Sequence, residues 1–321
     1  MNSRELALVS SATVLTHTHA LFHLDLHRDS KPSLILSPLV SSPLSSMATR
    51  DAEIIHDFRF FRVYKDGSVV LSNPTADKRI PPSDDPNSRV RSKDMVISSE
   101  PAVSARVFVP GSANLTQKLP LLLYMHGGGF CMQSAFTPRP MPACYEDSWA
   151  ALKYVVSHVN GDGPEPWFND HVDFGRVFIG GDSAGGNIAH NLAVRVGTDG
   201  LPEVKLVGVI MVHPFFGGTE DDQMWLCMCP ENGGLDDPRM RPGKEHLARL
   251  GCERVLMFVA EKDHLFVVGK RYYEELKKSG WGGNVEIVEN LGEGHCLHLR
   301  DLKYEKAVDL IKKYISLLKQ E

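Results

Sequence analysis

The feature that most constrains this chain is an alternation of short, unbroken apolar runs with longer segments whose apolar residues recur at helical spacing. Leu121 to Tyr124, Val177 to Ile179, Val204 to Val212 and Val255 to Val259 are runs of strand length. A strand that is apolar at every position has to be covered on both faces, which is the situation of parallel strands inside a layered sheet. Around them, Tyr145 to His158, Ala184 to Val196, Phe266 to Ser279 and Asp301 to Leu318 place apolar residues three and four apart, as helices with one buried face do. The alternation argues an α/β chain with a mostly parallel central sheet, right-handed crossovers and flanking helices. At 321 residues the chain is long enough to bury one large core of this kind.

Upstream the pattern changes. Phe58 to Tyr64, Ser68 to Leu71, Met95 to Ser98 and Arg106 to Val109 are β-like, with Asp66-Gly67 placed as a hairpin turn between the first two and Pro81-Pro82 as a break. They are expected to form antiparallel opening strands of the sheet and a small N-terminal cap region. Residues 1–47 are rich in Ser, Leu and His, carry only Glu5, Asp25 and Asp29 as acids, and show no core periodicity. They read as a disordered or targeting extension, which leaves 48–321 as the domain. Ala20 to Leu26 is too short and interrupted for a secretory core. The expected location is cytoplasmic, with Met47 as a functional start; the acid-poor, Ser-rich composition makes a plastid transit peptide the alternative.

Composition narrows the function classes. Apolar residues make up 42% and charged residues 23%, and no segment has the apolar length of a spanning helix. A net charge of -5 with interspersed signs offers no basic stripe, which excludes nucleic acid as the expected partner. The six cysteines lack the paired C-x-x-C spacing of a zinc site and are expected as free thiols in a reducing compartment.

The chemistry is carried by two glycine motifs at strand ends. Gly181-Asp182-Ser183-Ala184-Gly185 stands between the strand ending at Gly180 and the helix opening at Ala184. A serine on such a tight turn is pushed out over the sheet as a nucleophile. A phosphate-binding turn would want G-x-G-x-x-G or G-x-x-x-x-G-K-[ST], and neither is present. His126-Gly127-Gly128-Gly129-Phe130 follows the strand Leu121 to Met125, where successive glycines can turn N–H groups toward a developing oxyanion.

Acyl transfer then asks for an acid and a base downstream, each in a loop after a strand. Asp263 closes the run from Val255, with Glu261 and His264 beside it. His295 follows the strand Val285 to Glu289, with His298 three residues on. Glu261 lies nearer the strand, facing the sheet side, and Gly292 and Gly294 favour His295 as the histidine on a loop that reaches solvent. The pocket is expected to be lined by Phe215, Trp225 and Phe266, although bulky aromatics serve packing more often than specificity.

From Ala52 onward the chain resembles the plant carboxylesterases of the hormone-sensitive-lipase branch, which also holds the gibberellin receptors and the 2-hydroxyisoflavanone dehydratases. The resemblance rests on "FFRVYKDG", "HGGGF", "PACYEDSWAALKYV", "GDSAGGNIAH", "HPFFGG", "CERVLMFVAEKDHL" and "GEGHCLHL". It implies the α/β-hydrolase fold and Ser183, Asp263 and His295 as the triad. It further implies the amides of Gly128, Gly129 and Ala184 as oxyanion donors, a small ester as substrate, and no metal or cofactor. The receptors lose the catalytic histidine and the dehydratases tend to carry Thr at the serine position. His295 and Ser183 therefore imply a serine carboxylesterase, with a dehydratase-like lyase, a small-molecule binder and a catalytically impaired isoform as alternatives.

One departure stands out against that resemblance. Between Phe130 and Tyr145 the related esterases carry a helix, a buried strand and a loop, whereas this chain joins Phe136 almost directly to the next helix through Pro138, Pro140 and Pro142. Prolines lack the ladder donor a central strand needs. Either the antiparallel opening strands move in to pair with Leu121 to Met125, or that edge of the sheet stays open.

Overall fold

A computed structural model describes residues 34–39, 53–72, 81–85, 88–111, 118–131, 141–301 and 303–320. In chain order the strands are β1 (Leu34–Leu39), β2 (Ile54–Asp57), β3 (Phe61–Tyr64), β4 (Val69–Leu71), β5 (Val90–Ser99), β6 (Ala102–Pro110), β7 (Leu119–Met125), β8 (Val172–Asp182), β9 (Leu206–Val212), β10 (Arg254–Ala260) and β11 (Asn284–Asn290). The helices are α1 (Ala143–Val156), α2 (Pro166–His171), α3 (Ala184–Asp199), α4 (Asp222–Met228), α5 (Lys244–Leu247), α6 (Phe266–Lys278) and α7 (Glu305–Leu318).

The main sheet has eight strands in the order β11-β10-β9-β8-β7-β1-β6-β5, parallel from β11 through β1 and antiparallel across β1, β6 and β5. Its apolar runs behave as their composition requires. β7, β9, β10 and the end of β8 are buried at nearly every position, and the edge strand β11 is not. α1 and α3 pack on each other, α3 also lies on β8 and β9, and α6 lies on β10 and β11. All six cysteines are free thiols. No helix among the described residues is long and apolar enough to cross a membrane.

Two expectations change at the N-terminal side. Of the four β-like runs, only β5 and β6 join the main sheet. β3 pairs with β2 on one side and β4 on the other in a separate three-stranded antiparallel sheet, turned at Asp66-Gly67 with Gly67 at φ 82°. Its Phe61 packs with Cys131 and Met224, so this small sheet lies against the loop that follows β7.

The second concerns the slot between β6 and β7. Neither alternative read from the sequence describes it, because β1 occupies it. Leu34 to Leu36 pair in parallel with Leu121 to Leu123, and Ile35 to Leu39 pair antiparallel with Phe108 to Ser104. Pro38, which has no N–H, falls beyond the residues that pair with β7. Six residues inside the expected extension 1–47 thus belong to the sheet of the 48–321 domain. The other residues of 1–47 lie outside the described residues, as do 132–140, the proline-rich join.

Candidate active site

The G-x-S-x-G turn joins β8 directly to α3. Ser183 sits at φ 53°, ψ -119°, a backbone conformation that costs a β-carbon residue energy and is held here by backbone hydrogen bonds. Its N–H donates to the Val212 carbonyl at 2.9 Å, and its own carbonyl accepts from Phe215 and Gly186 at 2.9 and 3.1 Å. The two flanking glycines are required by close approach. A β-carbon on Gly181 would run into the Gly185 backbone, and one on Gly185 into the Met125 carbonyl at the end of β7.

That approach brings the HGGG loop beside the serine. Gly128 and Gly129 have φ of 105° and 61°, and the ring of Phe60 fills the space a β-carbon on Gly129 would take. Asp182, the variable residue before the serine, ties loop to elbow. Its Oδ1 accepts from the Gly127 N–H at 3.1 Å and the Tyr124 hydroxyl at 2.8 Å, and its Oδ2 from the Cys296 thiol at 3.7 Å. Among the described residues the N–H groups of Gly128, Gly129 and Ala184 have no acceptor. Ala184 is the first residue of α3, where the helix itself offers its N–H no partner.

The downstream residues meet the serine from β10 and β11. His295 Nε2 lies 3.0 Å from Ser183 Oγ, and His295 Nδ1 lies 2.6 Å from Asp263 Oδ2. Ser183 and Asp263 lie 112 and 32 residues before His295 along the chain, and the ends of three parallel strands bring them together.

Comparison with known proteins gives the family. Residues 138–299, half of the chain, match the family described as alpha/beta hydrolase fold. The 2-hydroxyisoflavanone dehydratase of Glycyrrhiza echinata is 39% identical over 326 residues, covering 85% of this chain and 99% of that protein. "Probable carboxylesterase 1" of Arabidopsis thaliana is 37% identical over 317 residues, 84% of this chain and 99% of its own length. The chain belongs to the α/β-hydrolase family. An esterase of Pyrobaculum calidifontis shares the fold, with a TM-score of 0.58 at 20% identity over 71% of this chain and 85% of that one. The family match begins after the HGGG loop, at the short join. In the first comparison, 85% of 321 residues is roughly 273 against 326 aligned, so roughly fifty aligned positions face no residue of this chain.

The surroundings of Ser183, Asp263 and His295 in this α/β-hydrolase chain sort the competing residues. Glu261 turns its carboxylate elsewhere: its Oε2 accepts from the Gly292 N–H at 2.7 Å and braces the loop that carries His295. His298 is buried, and neither ring nitrogen has a partner among the described residues; burial holds it well below the ordinary imidazole range, hence neutral. The Asp263 side chain is 1% exposed. Burial alone would raise its pKa, but hydrogen bonds from His264 and His295 outweigh that and hold it well below the usual carboxylate range. The Leu265 N–H adds a further bond at 3.0 Å.

Two residues are not singled out from the sequence, although His213 opens the "HPFFGG" stretch. His213, at φ 48°, accepts the Cys296 N–H on Nδ1 at 2.7 Å and so fixes the residue after His295. Burial and the nearby His295 lower its pKa to about 4. Asp221, just before α4, lies 2.8 Å from His264 Nε2. His213, His295 and Cys296 converge as metal ligands might, but His213 Nδ1 and both nitrogens of His295 are already engaged in the bonds above.

The three expected pocket aromatics differ. Phe215 meets Phe130 of the oxyanion loop edge-on, with ring centroids 5.6 Å apart. Phe266 opens α6, partly buried, with Lys270 over its ring. Trp225 is wholly buried with the Arg239 guanidinium 5.5 Å from its ring, the position of a packing residue.

Proposed function

We propose that the chain hydrolyses small carboxylic esters through an acyl-enzyme on Ser183. The observation that carries this reading is the continuous line from Asp263 through His295 to Ser183 Oγ, at 2.6 and 3.0 Å. The carboxylesterase among its relatives supports it.

In this reading His295 Nε2 takes the hydroxyl proton as Ser183 Oγ bonds to the ester carbonyl carbon. The carbonyl oxygen becomes an oxyanion and receives the unpaired N–H groups of Gly128, Gly129 and Ala184, donors of a kind worth about 3–4 kcal/mol each to such a transition state. Collapse of the tetrahedral species breaks the bond to the alcohol, which leaves with the proton from His295. Water, deprotonated by the same nitrogen, then releases the acid. Asp263 stays ionised throughout, holding the tautomer and stabilising the imidazolium. Phe215, beside the oxyanion loop, and Phe266, next to the Asp263 loop, are positioned to bound the acyl group.

A second reading follows from the relative called a dehydratase: the same base would remove a proton from a hydroxylated flavonoid. A fluorophosphonate probe separates the two, because it labels only an activated serine. Labelling at Ser183 with turnover of a nitrophenyl ester supports hydrolysis. Absence of labelling with loss of water from a hydroxyisoflavanone supports the lyase.

A further inference from the structure

His264 adjoins the triad and takes no part in the mechanism above. Its Nε2 lies 2.8 Å from Asp221 Oδ2 and its Nδ1 lies 3.1 Å from Asp263 Oδ1. A neutral imidazole has one N–H and one lone pair, so it can serve only one of two carboxylates. The other would face a lone pair. Both contacts are satisfied together only when the ring carries two protons.

Resting on the hydrolase reading, we propose that His264 is a positioning residue, an imidazolium that clamps the catalytic carboxylate of Asp263 from the side opposite His295 and anchors it to Asp221 at the start of α4. The groups that face it are Asp221 from α4, Asp263 in its own loop, and the His295 ring with its centroid 5.6 Å away. The hydrogen bonds to Asp221 and then Asp263 raise its pKa to about 9 against the effect of burial, so the clamp is charged at neutral pH.

Two consequences follow. The Asp263 carboxylate is engaged at both oxygens: Oδ1 accepts from the Leu265 N–H and lies at ion-pair distance from His264 Nδ1, and Oδ2 faces His295 Nδ1, an arrangement that opposes its rotation away from His295. The loop before α4 is also latched to the acid loop by a charge, and the latch is lost as His264 gives up its proton. As pH rises through about 9 the ring can keep only one carboxylate. Activity is therefore set to fall on the alkaline side for a reason outside the Ser183–His295 pair.

The test is the pH profile of the full chain and two variants on an alkyl ester followed by pH-stat titration, with circular dichroism at each pH to confirm folding. His264→Gln should lower kcat about tenfold with KM within about twofold, and its profile should lack the fall near pH 9. His264→Arg, permanently charged and able to bond both carboxylates, should recover most of the plateau and also lack the fall. Wild-type kcat in His264→Gln, or an alkaline limb unchanged in either variant, overturns the proposal. The charge is also read without turnover. The His264 ring-proton resonance, assigned by its loss in His264→Gln, should titrate near pH 9 and at least one unit lower in Asp221→Asn; a midpoint at the ordinary 6.5 overturns the proposal. An inactive wild type with no fluorophosphonate labelling would defeat the hydrolase reading instead, and the resonance would still decide whether the clamp exists.

Discussion

The two sides of the sheet are assembled in different ways. From β8 to β11 each strand's neighbour is the next strand in the chain, reached through a helix or a helix-bearing loop. On the other side, β7 has as its neighbour β1, which begins 85 residues earlier at Leu34, and β6 closes onto β1 rather than onto β7. Short crossovers close cheaply and in one hand, whereas a strand delivered from far along the chain pays a larger loop-closure cost before any ladder bond forms. Ser183, Asp263 and His295, the proposed triad, all hang from the first kind of strand. The proposed oxyanion loop hangs from β7, on the seam between the two.

Removal of residues 1–40 is the strongest way to break this comparison. It unpairs both edges of the slot, and each buried backbone group left without a partner costs about 1–3 kcal/mol. Several such losses rival the ~5–15 kcal/mol that hold a typical domain. The shortened chain should lose its cooperative melt and its solubility, and a chain lacking only 1–33 should keep both. In any folded fraction, hydrogen exchange should quicken at Leu121 to Leu123 and leave Leu256 to Phe258 protected. Equal melts for the two truncations would show that β1 contributes nothing.

Next in size is the triad. Ser183→Ala and His295→Ala should each reduce ester hydrolysis by about 10⁴–10⁶, with the double variant little worse, since residues acting as one unit do not add. Their melting temperatures should stay near wild type, because these changes lie on the side that needs no help from β1. Losses that multiply would mean that the two residues act separately.

On the seam itself, Gly129→Ala should cost about 10²–10³ in kcat, the scale of one lost oxyanion donor. The added methyl meets Phe60 at a positive φ. Co-substitution of Phe60→Ala should return part of the loss; no recovery would separate the small sheet from the oxyanion loop.

The smallest effect is in pH. His213 is buried and its pKa falls from 6.5 to about 4. Below 6.5 the unfolded chain binds a proton that the folded chain refuses until about pH 4, so stability declines as pH falls through that window, by up to a few kcal/mol. Urea melts at pH 7 and 4.5 compared with those of His213→Gln should show the wild type losing more. Parallel curves would assign acid sensitivity elsewhere.

Much of this was legible before any coordinates. The glycines around Ser183 have a steric reason visible in five residues, Asp263 closes an apolar run of strand length, and His295 stands in the loop after the next strand. The ties that hold the site were not. Asp182 lies inside the pentapeptide, yet its bonds reach Tyr124 and Gly127, 58 and 55 residues upstream. His264 reads as a competitor for the catalytic histidine until Asp221, 43 residues away, is seen against its far nitrogen.

By itself the sequence determined what local chemistry determines: strand or helix from the period of the apolar residues, the tight turn at Ser183 from its glycines, and the placing of Asp263 and His295 after strands. The tertiary structure alone decided which segment fills the gap beside β7, which aromatic turns inward, and which histidine lies between two carboxylates. Periodicity and backbone sterics act between residues a few positions apart. Strand partnership, burial and the field on a titrating ring depend on distances in space that no spacing along the chain specifies.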